Sequence, residues 1–229
     1  MNDHVAPLYA WLSRRAPLRA FHDLASLTPD LELGGFVGLS ARVPLHEIPT
    51  LPAVSLDDSW AQTNEYVSRS LNLIGGNGGW LDREEVEMIE SGLGGPPPRC
   101  QPIYVFSVTD GANERAVYVG RTSSQTPRFS GGHAAAVDLH HPRYNGMMKQ
   151  VYLAYVLLLT KDDYLPLEWV RPLNAAKAIL AAVEATLIFG LQPELNERLR
   201  AEYRQRISIT LSIENCVQTN FLQGHQFAF

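Results

Sequence analysis

Residues 102–133 read PIYVFSVTDGANERAVYVGRTSSQTPRFSGGH. Two short apolar runs, Ile103–Val108 and Ala116–Gly120, flank the polar segment TDGANE. Ile, Val, Tyr and Phe suit a pleated, half-buried surface, and Asp110-Gly111 tolerates the positive φ of a tight turn. The stretch therefore predicts a β-hairpin. Each strand carries one tyrosine, Tyr104 and Tyr118. Pairing of the strands brings both phenols toward one cleft. Two strand tyrosines are commonplace by themselves. The residues just downstream are less so: Arg121 and Arg128 carry planar guanidinium forks that fit phosphate oxygens, and His133 comes five residues after Arg128. Thr126-Pro127 has the chemistry of a helix start, with Thr as the cap and Pro at the first helical position. A helix from there puts Arg128 and His133 about one turn apart.

Further along, Val151–Leu159 reads as a buried third strand. Asn174 then caps a predicted helix, AAKAILAAVEATLIFGL at 175–191, ended by Gly190 and Pro193. Glu184 is out of place in it. Its neighbours four residues either side are Leu180 and Ile188. A carboxylate on an apolar stripe is costly unless it is paired or binds a cation. The plainer reading is a glutamate on a narrow solvent face. A single carboxylate suits Mg²⁺, which keeps much of its water, and does not suit zinc. Asn196, in QPELNE, reads by itself as a turn or cap residue.

Upstream, residues 7–27 predict a helix broken at Pro17, and 28–57 hold two weak strands near Gly35–Leu39 and Ala41–Leu45. Residues 57–74 show helical spacing, with Trp60, Tyr66, Leu71 and Ile74 near one face and Asp57 or Asp58 as the cap. Asp82 opens a helix that ends at Leu93. The GGPPP at 94–98 is the best boundary in the chain, because glycine ends a helix and proline forbids its continuation. A turn of helix at Asn145–Lys149, a helix at Arg198–Ile207 and a strand at Ile207–Ile213 complete the reading. The apolar tail FLQGHQFAF is expected to pack on this chain or on a second copy.

The chain has 229 residues, 45% of them hydrophobic, enough for one core without covalent staples. Its net charge of −5 counts against a nonspecific nucleic-acid coat. The charge is uneven: residues 1–100 carry 13 acidic and 7 basic side chains, whereas 101–229 carry 11 and 12. Cys100 and Cys216 form no C-x-x-C pair, which argues for a reduced, cytoplasmic setting. Charges interrupt the N-terminal apolar stretch, so no signal peptide is expected, and the run 151–159 is too short to span a bilayer.

The order PIY, YVG, Arg, His, a helix-borne Glu and then Leu-Asn resembles the GIY-YIG nuclease superfamily over residues 101–197. Pro102 stands for the usual first glycine and Val119 for the isoleucine, and Gly131-Gly132 is an oddity. The resemblance implies an α+β fold: a small three-stranded antiparallel sheet flanked by helices. The catalytic domain would be 99–197, with a mixed helical extension at 1–98 for DNA binding or dimerisation and a helix and strand extension at 198–229. It also implies one-metal hydrolysis of a phosphodiester with Mg²⁺, for which Mn²⁺ can substitute. Tyr104 would be the base or orient the water, activated by Arg121 and His133. Arg128 would clamp the phosphate and Tyr118 would hydrogen-bond it. Glu184 would hold the metal, and Asn196 would steady the site. The compact length looks most like the type II restriction enzymes of the superfamily. These act on double-stranded DNA as homodimers, alongside a cognate methyltransferase, in bacterial defence. The other reading is a catalytically weak or inactive nucleic-acid-binding subunit of a defence or repair complex. Arg198, Arg200, Arg204 and Arg206 are candidates for DNA-backbone contact, although Glu197 and Glu202 among them equally suit a solvated helix face.

Overall fold

The computed structural model describes residues 6–18, 34–50, 54–76, 78–122, 133–161, 164–197 and 207–228. Arg128, the helix start at Thr126-Pro127, most of the helix expected at 198–207 and all four arginines in it lie outside the described residues.

The seven strands form one sheet. They are β1 (Gly35–Pro44), β2 (Ile103–Asp110), β3 (Asn113–Arg121), β4 (Met148–Leu159), β5 (Tyr164–Pro166), β6 (Leu211–Asn215) and β7 (Gln226–Phe227). Their order is β3-β2-β4-β1-β6-β7, with β5 also paired to β4. β1 and β6 run parallel and every other pair is antiparallel, so the sheet is mixed, and it curls into a half-barrel. This corrects the expected small three-stranded antiparallel sheet. The meander β3-β2-β4 exists, but it is one side of a wider sheet.

The reason lies in β4. Nine consecutive residues from Gln150 to Leu158 are buried. Such a strand needs cover on both faces and partners on both edges. β2 takes one edge, from Met148 to Ala154, and β5 continues along that edge from Leu157 to Leu159. β1 takes the other edge, from Gln150 to Leu158. The two weak strands expected at 35–45 are thus one strand with an irregularity between Leu39 and Ala41. The extra residue there, Ser40, switches faces. Val37 and Leu39 point into the main core, whereas Ala41 and Val43 pack with the second.

The main core lies between one face of the sheet and the helices α1 (Pro7–Leu12), α2 (Leu56–Ile74), α3 (Arg83–Leu93) and α5 (Leu173–Leu191). The second core lies on the other face. The short helix α4 (Ala134–Asp138) and two 3-10 turns, Leu45–Thr50 and Pro142–Tyr144, cover it. The helix expected at Asn145–Lys149 does not form: the turn at 142–144 precedes that stretch, and β4 has begun by Met148. α3 starts as expected, with a capping box between Asp82 and Glu85. α2 does not. Ser55 accepts from the Asp58 amide, leaving Asp57 and Asp58 in the first turn, where carboxylates suit the helix dipole. Its buried stripe is Leu56, Ser59, Thr63, Tyr66, Val67 and Ser70, and Trp60 is only half-buried.

α5 is apolar and long enough to cross a membrane by length and composition alone. Here nine of its residues are buried in the fold. It ends in a left-handed Gln192 and not at Gly190. Gly190 has another use, since a Cβ there would run into the Phe227 ring. The strand expected at Ile207–Ile213 is β6, which starts at Leu211, and a further strand, β7, follows it. The apolar tail packs on this chain: Phe221, Leu222 and Phe227 join the main core, and the Phe221 ring lies 4.7 Å from that of Tyr152. The sheet therefore draws strands from all three sequence segments. Phe227→Ala should lower stability to urea by about 3 kcal/mol, as for other buried phenylalanines. A midpoint equal to the parent's would remove the C-terminal strand from the core.

Candidate active site

The hairpin register explains the aromatic cluster. Tyr104 pairs with Gly120 across the strands, and Phe106 pairs with Tyr118. Directly opposed residues share a face, so all four belong to the face of the second core. Tyr104 is fully buried. Its ring lies across Gly120, where a Cβ would collide with it. That close approach is the physical use of the glycine in Tyr-Val-Gly. The rings of Tyr104 and Tyr118 stack with centroids 6.1 Å apart.

His133 closes the cluster from the other side. It is extended backbone immediately before α4, and not the last residue of a helix. The Tyr104 hydroxyl and His133 Nε2 lie 2.9 Å apart in a buried hydrogen bond. With Nε2 unprotonated, the phenol donates. The imidazole stands edge-on to Tyr104, Phe106 and Tyr118 at 5.5, 5.2 and 5.1 Å. It is 8% exposed, so the ring is held by packing as well as by the hydrogen bond.

Arg121 and Glu184 meet elsewhere. Arg121 pairs with Ile103, and Ile103, Val105 and Val119 all face the main core. Strand alternation thus directs Arg121 away from the tyrosines and toward α5. Its Nε lies 2.9 Å from Glu184 Oε2, with the two side chains 34% and 19% exposed. The costly carboxylate of α5 is therefore compensated by an arginine. Asn196 has a different task. Its Oδ1 accepts from the Val119 amide and its Nδ2 donates to the Val119 carbonyl, both at 2.8 Å. The Leu195 amide also donates to the Val117 carbonyl at 2.9 Å. Residues 195–196 so occupy the outer edge of β3, which would otherwise be an open sheet edge.

Beside this edge lies a cluster that sequence reading missed. Glu194 accepts from Arg115 at 2.6 Å and from the Tyr144 hydroxyl at 2.8 Å, and Arg143 lies 3.9 Å away. Burial opposes ionisation of Glu194, but the hydrogen bonds from Arg115 and Tyr144 outweigh it and hold its pKa below the usual carboxylate range. Burial pushes the Tyr144 phenol up to about 12, and Glu194 adds to the shift. An open hollow of about 480 Å³ adjoins, lined by Val137, Asp138, His141, Arg143, Glu194 and Glu197 among others. No signal short of long-range contact joins Arg115 to Glu194.

Among the described residues, no three His, Cys, Asp or Glu side chains gather as a metal cluster. A site of one carboxylate and waters needs no such cluster. Glu184 offers the hard oxygen chemistry that Mg²⁺ prefers and is partly exposed, with Arg121 as a competitor for it. Comparison with known proteins gives no match, whether to a family model, a curated protein or a solved structure.

Gly120→Ala should push the Tyr104 ring off β3 and cost about 1–3 kcal/mol, the usual range for overpacking. The His133 imidazole signals should shift in the same variant. An unchanged denaturation midpoint together with unchanged histidine resonances would contradict the packing described.

Proposed function

We propose that this protein is an endonuclease of the GIY-YIG kind. It would hydrolyse phosphodiester bonds of double-stranded DNA with Mg²⁺, as a sequence-specific type II restriction enzyme acting as a homodimer in the cytoplasm. The observation that carries the reading is the buried phenol–imidazole hydrogen bond between Tyr104 and His133. A free phenol, with a pKa near 10, is a poor base. A phenol that can pass its proton to an adjacent imidazole is a much better one. Tyr104 would take a proton from the attacking water or orient that water, and His133 would receive the proton. Tyr118, stacked on Tyr104 and only half-buried, would offer its hydroxyl to a phosphate oxygen. Arg128 would neutralise the charge added to the phosphate. Glu184 would hold the Mg²⁺. When bound, the ion supplies charge stabilisation to the leaving oxygen. Asn196 would position the site through its grip on Val119.

Two observations favour the other reading, a binding subunit with a weak site. Tyr104 is fully buried, and Glu184 is already engaged by Arg121, which strand alternation directs away from the tyrosines. Digestion of supercoiled plasmid in Mg²⁺ and in EDTA separates the two. The nuclease reading predicts discrete fragments in Mg²⁺, none in EDTA and a loss of at least about a hundredfold in rate in Glu184→Ala. No cleavage by the parent in any divalent metal, together with DNA binding, would establish the binding-subunit reading instead. A smear would mean nuclease activity without sequence specificity.

A further inference from the structure

The 3-10 turn Leu167–Trp169 packs against α2 and α5, and all three of its residues are buried. The middle one is Glu168, 6% exposed. A buried carboxyl is costly, and an apolar residue would serve the packing at least as well. Glu168 also lines a cavity of about 200 Å³. The cavity walls are mainly apolar, with Leu8 from α1, the Pro96–Pro98 run and Trp169, and Tyr9, Thr63 and Arg99 line it as well. Trp169 belongs to the main core, on the opposite sheet face from Tyr104.

The charged and titratable groups around Glu168 are Arg99 and Cys100 before β2, Arg171 after the turn, Tyr9 on α1 and, through Cys100, Asp58 on α2. Both arginines have other work. Arg99 lies over the Tyr155 ring at 4.3 Å. Arg171 donates to the Glu168 and Val170 main-chain carbonyls at 3.0 and 3.2 Å, and to Asn64 Oδ1 at 2.6 Å. Burial is the largest influence on the Glu168 carboxyl and raises its pKa to about 7. Its own amide, the Cys100 amide and the fields of Arg99 and Arg171 pull the other way without prevailing.

We propose that this cavity binds a small organic ammonium ion, its charge on the Glu168 carboxylate and its apolar or aromatic body between Leu8, the prolines and Trp169. Burial outweighs the fields of Arg99 and Arg171 on Glu168, so an ammonium ion adds the charge that favours the ionised carboxylate, and its body matches the walls. The volume of about 200 Å³ is below the roughly 300–1,000 Å³ of most ligand pockets, which limits the body to about one ring. The inference is independent of the nuclease reading.

Calorimetric titration of the whole protein with benzylamine, and with benzyl alcohol as a neutral isostere, tests it between about pH 6 and pH 8. Only the ionised fraction of Glu168 is competent for the cation. Benzylamine should therefore bind about tenfold more tightly at the upper pH, whereas benzyl alcohol should bind more weakly and without a pH trend. Glu168→Gln, near-isosteric, should lose both the trend and about tenfold in affinity at the upper pH. Absence of benzylamine binding, equal binding of the alcohol, or a pH trend that survives in Glu168→Gln would each overturn the proposal. A ligand-free readout checks the variant. With its folded pKa raised from 4.5 to about 7, Glu168 contributes stability that is fully present below about pH 4.5 and lost as pH rises through 7. The fall in urea midpoint over that window should flatten in Glu168→Gln.

Discussion

The structure depends on the pairing of β4 along both edges. Its 12 residues, Met148–Leu159, run through the middle of the sheet, with nine buried in succession. Burial on both faces removes water from the backbone amides and carbonyls, so each must be paired within the protein. β2 and β5 serve one side of β4, and β1 serves the other. The hairpin with the two tyrosines thus stands on a buried strand paired along both edges. α5, which carries Glu184, is packed against the same sheet. The positions of the candidate groups are consequences of this one strand and its register.

Local signals were legible, and long-range ones were not. The β2–β3 hairpin follows from its β-branched and aromatic runs and from Asp110-Gly111. The capping box of Asp82 and Glu85 is visible as a spacing of three. Ser55 was masked as a cap by Asp57 and Asp58, which look equally suitable in isolation. β1 read as two fragments because the bulge at Ser40 breaks the alternation of apolar residues on which strand reading relies. The parallel pairing of β1 with β6 joins residues about 176 apart in sequence, Gly35 with Leu211, and no periodicity encodes it. Together with the pairing of β1 and β5 to β4, it widens the expected small sheet to seven strands.

The candidate site was partly legible. Tyr104 and Tyr118 share a cluster with His133, as the hairpin and the motif order suggested. Glu184 was singled out as a carboxylate in need of a partner, and its partner is Arg121. Strand alternation, counted from Tyr118 through Gly120, would have put Arg121 on the opposite face from the tyrosines. Asn196 read as a turn residue, yet its amide takes the place of a neighbouring strand for Val119. Glu168 gave no signal, because a lone glutamate beside Trp169 is unremarkable until its burial is known.

Function rests on whether the Tyr104–His133 pair moves a proton. Single-turnover cleavage of a DNA duplex by Tyr104→Phe, in the same Mg²⁺ as the parent, tests this most directly. The ring and its packing on Gly120 are retained, and only the hydroxyl is lost. Proton transfer through the pair predicts a rate lower by at least about a hundredfold, the scale of one general base. A Tyr104→Phe protein that cleaves as fast as the parent would contradict it.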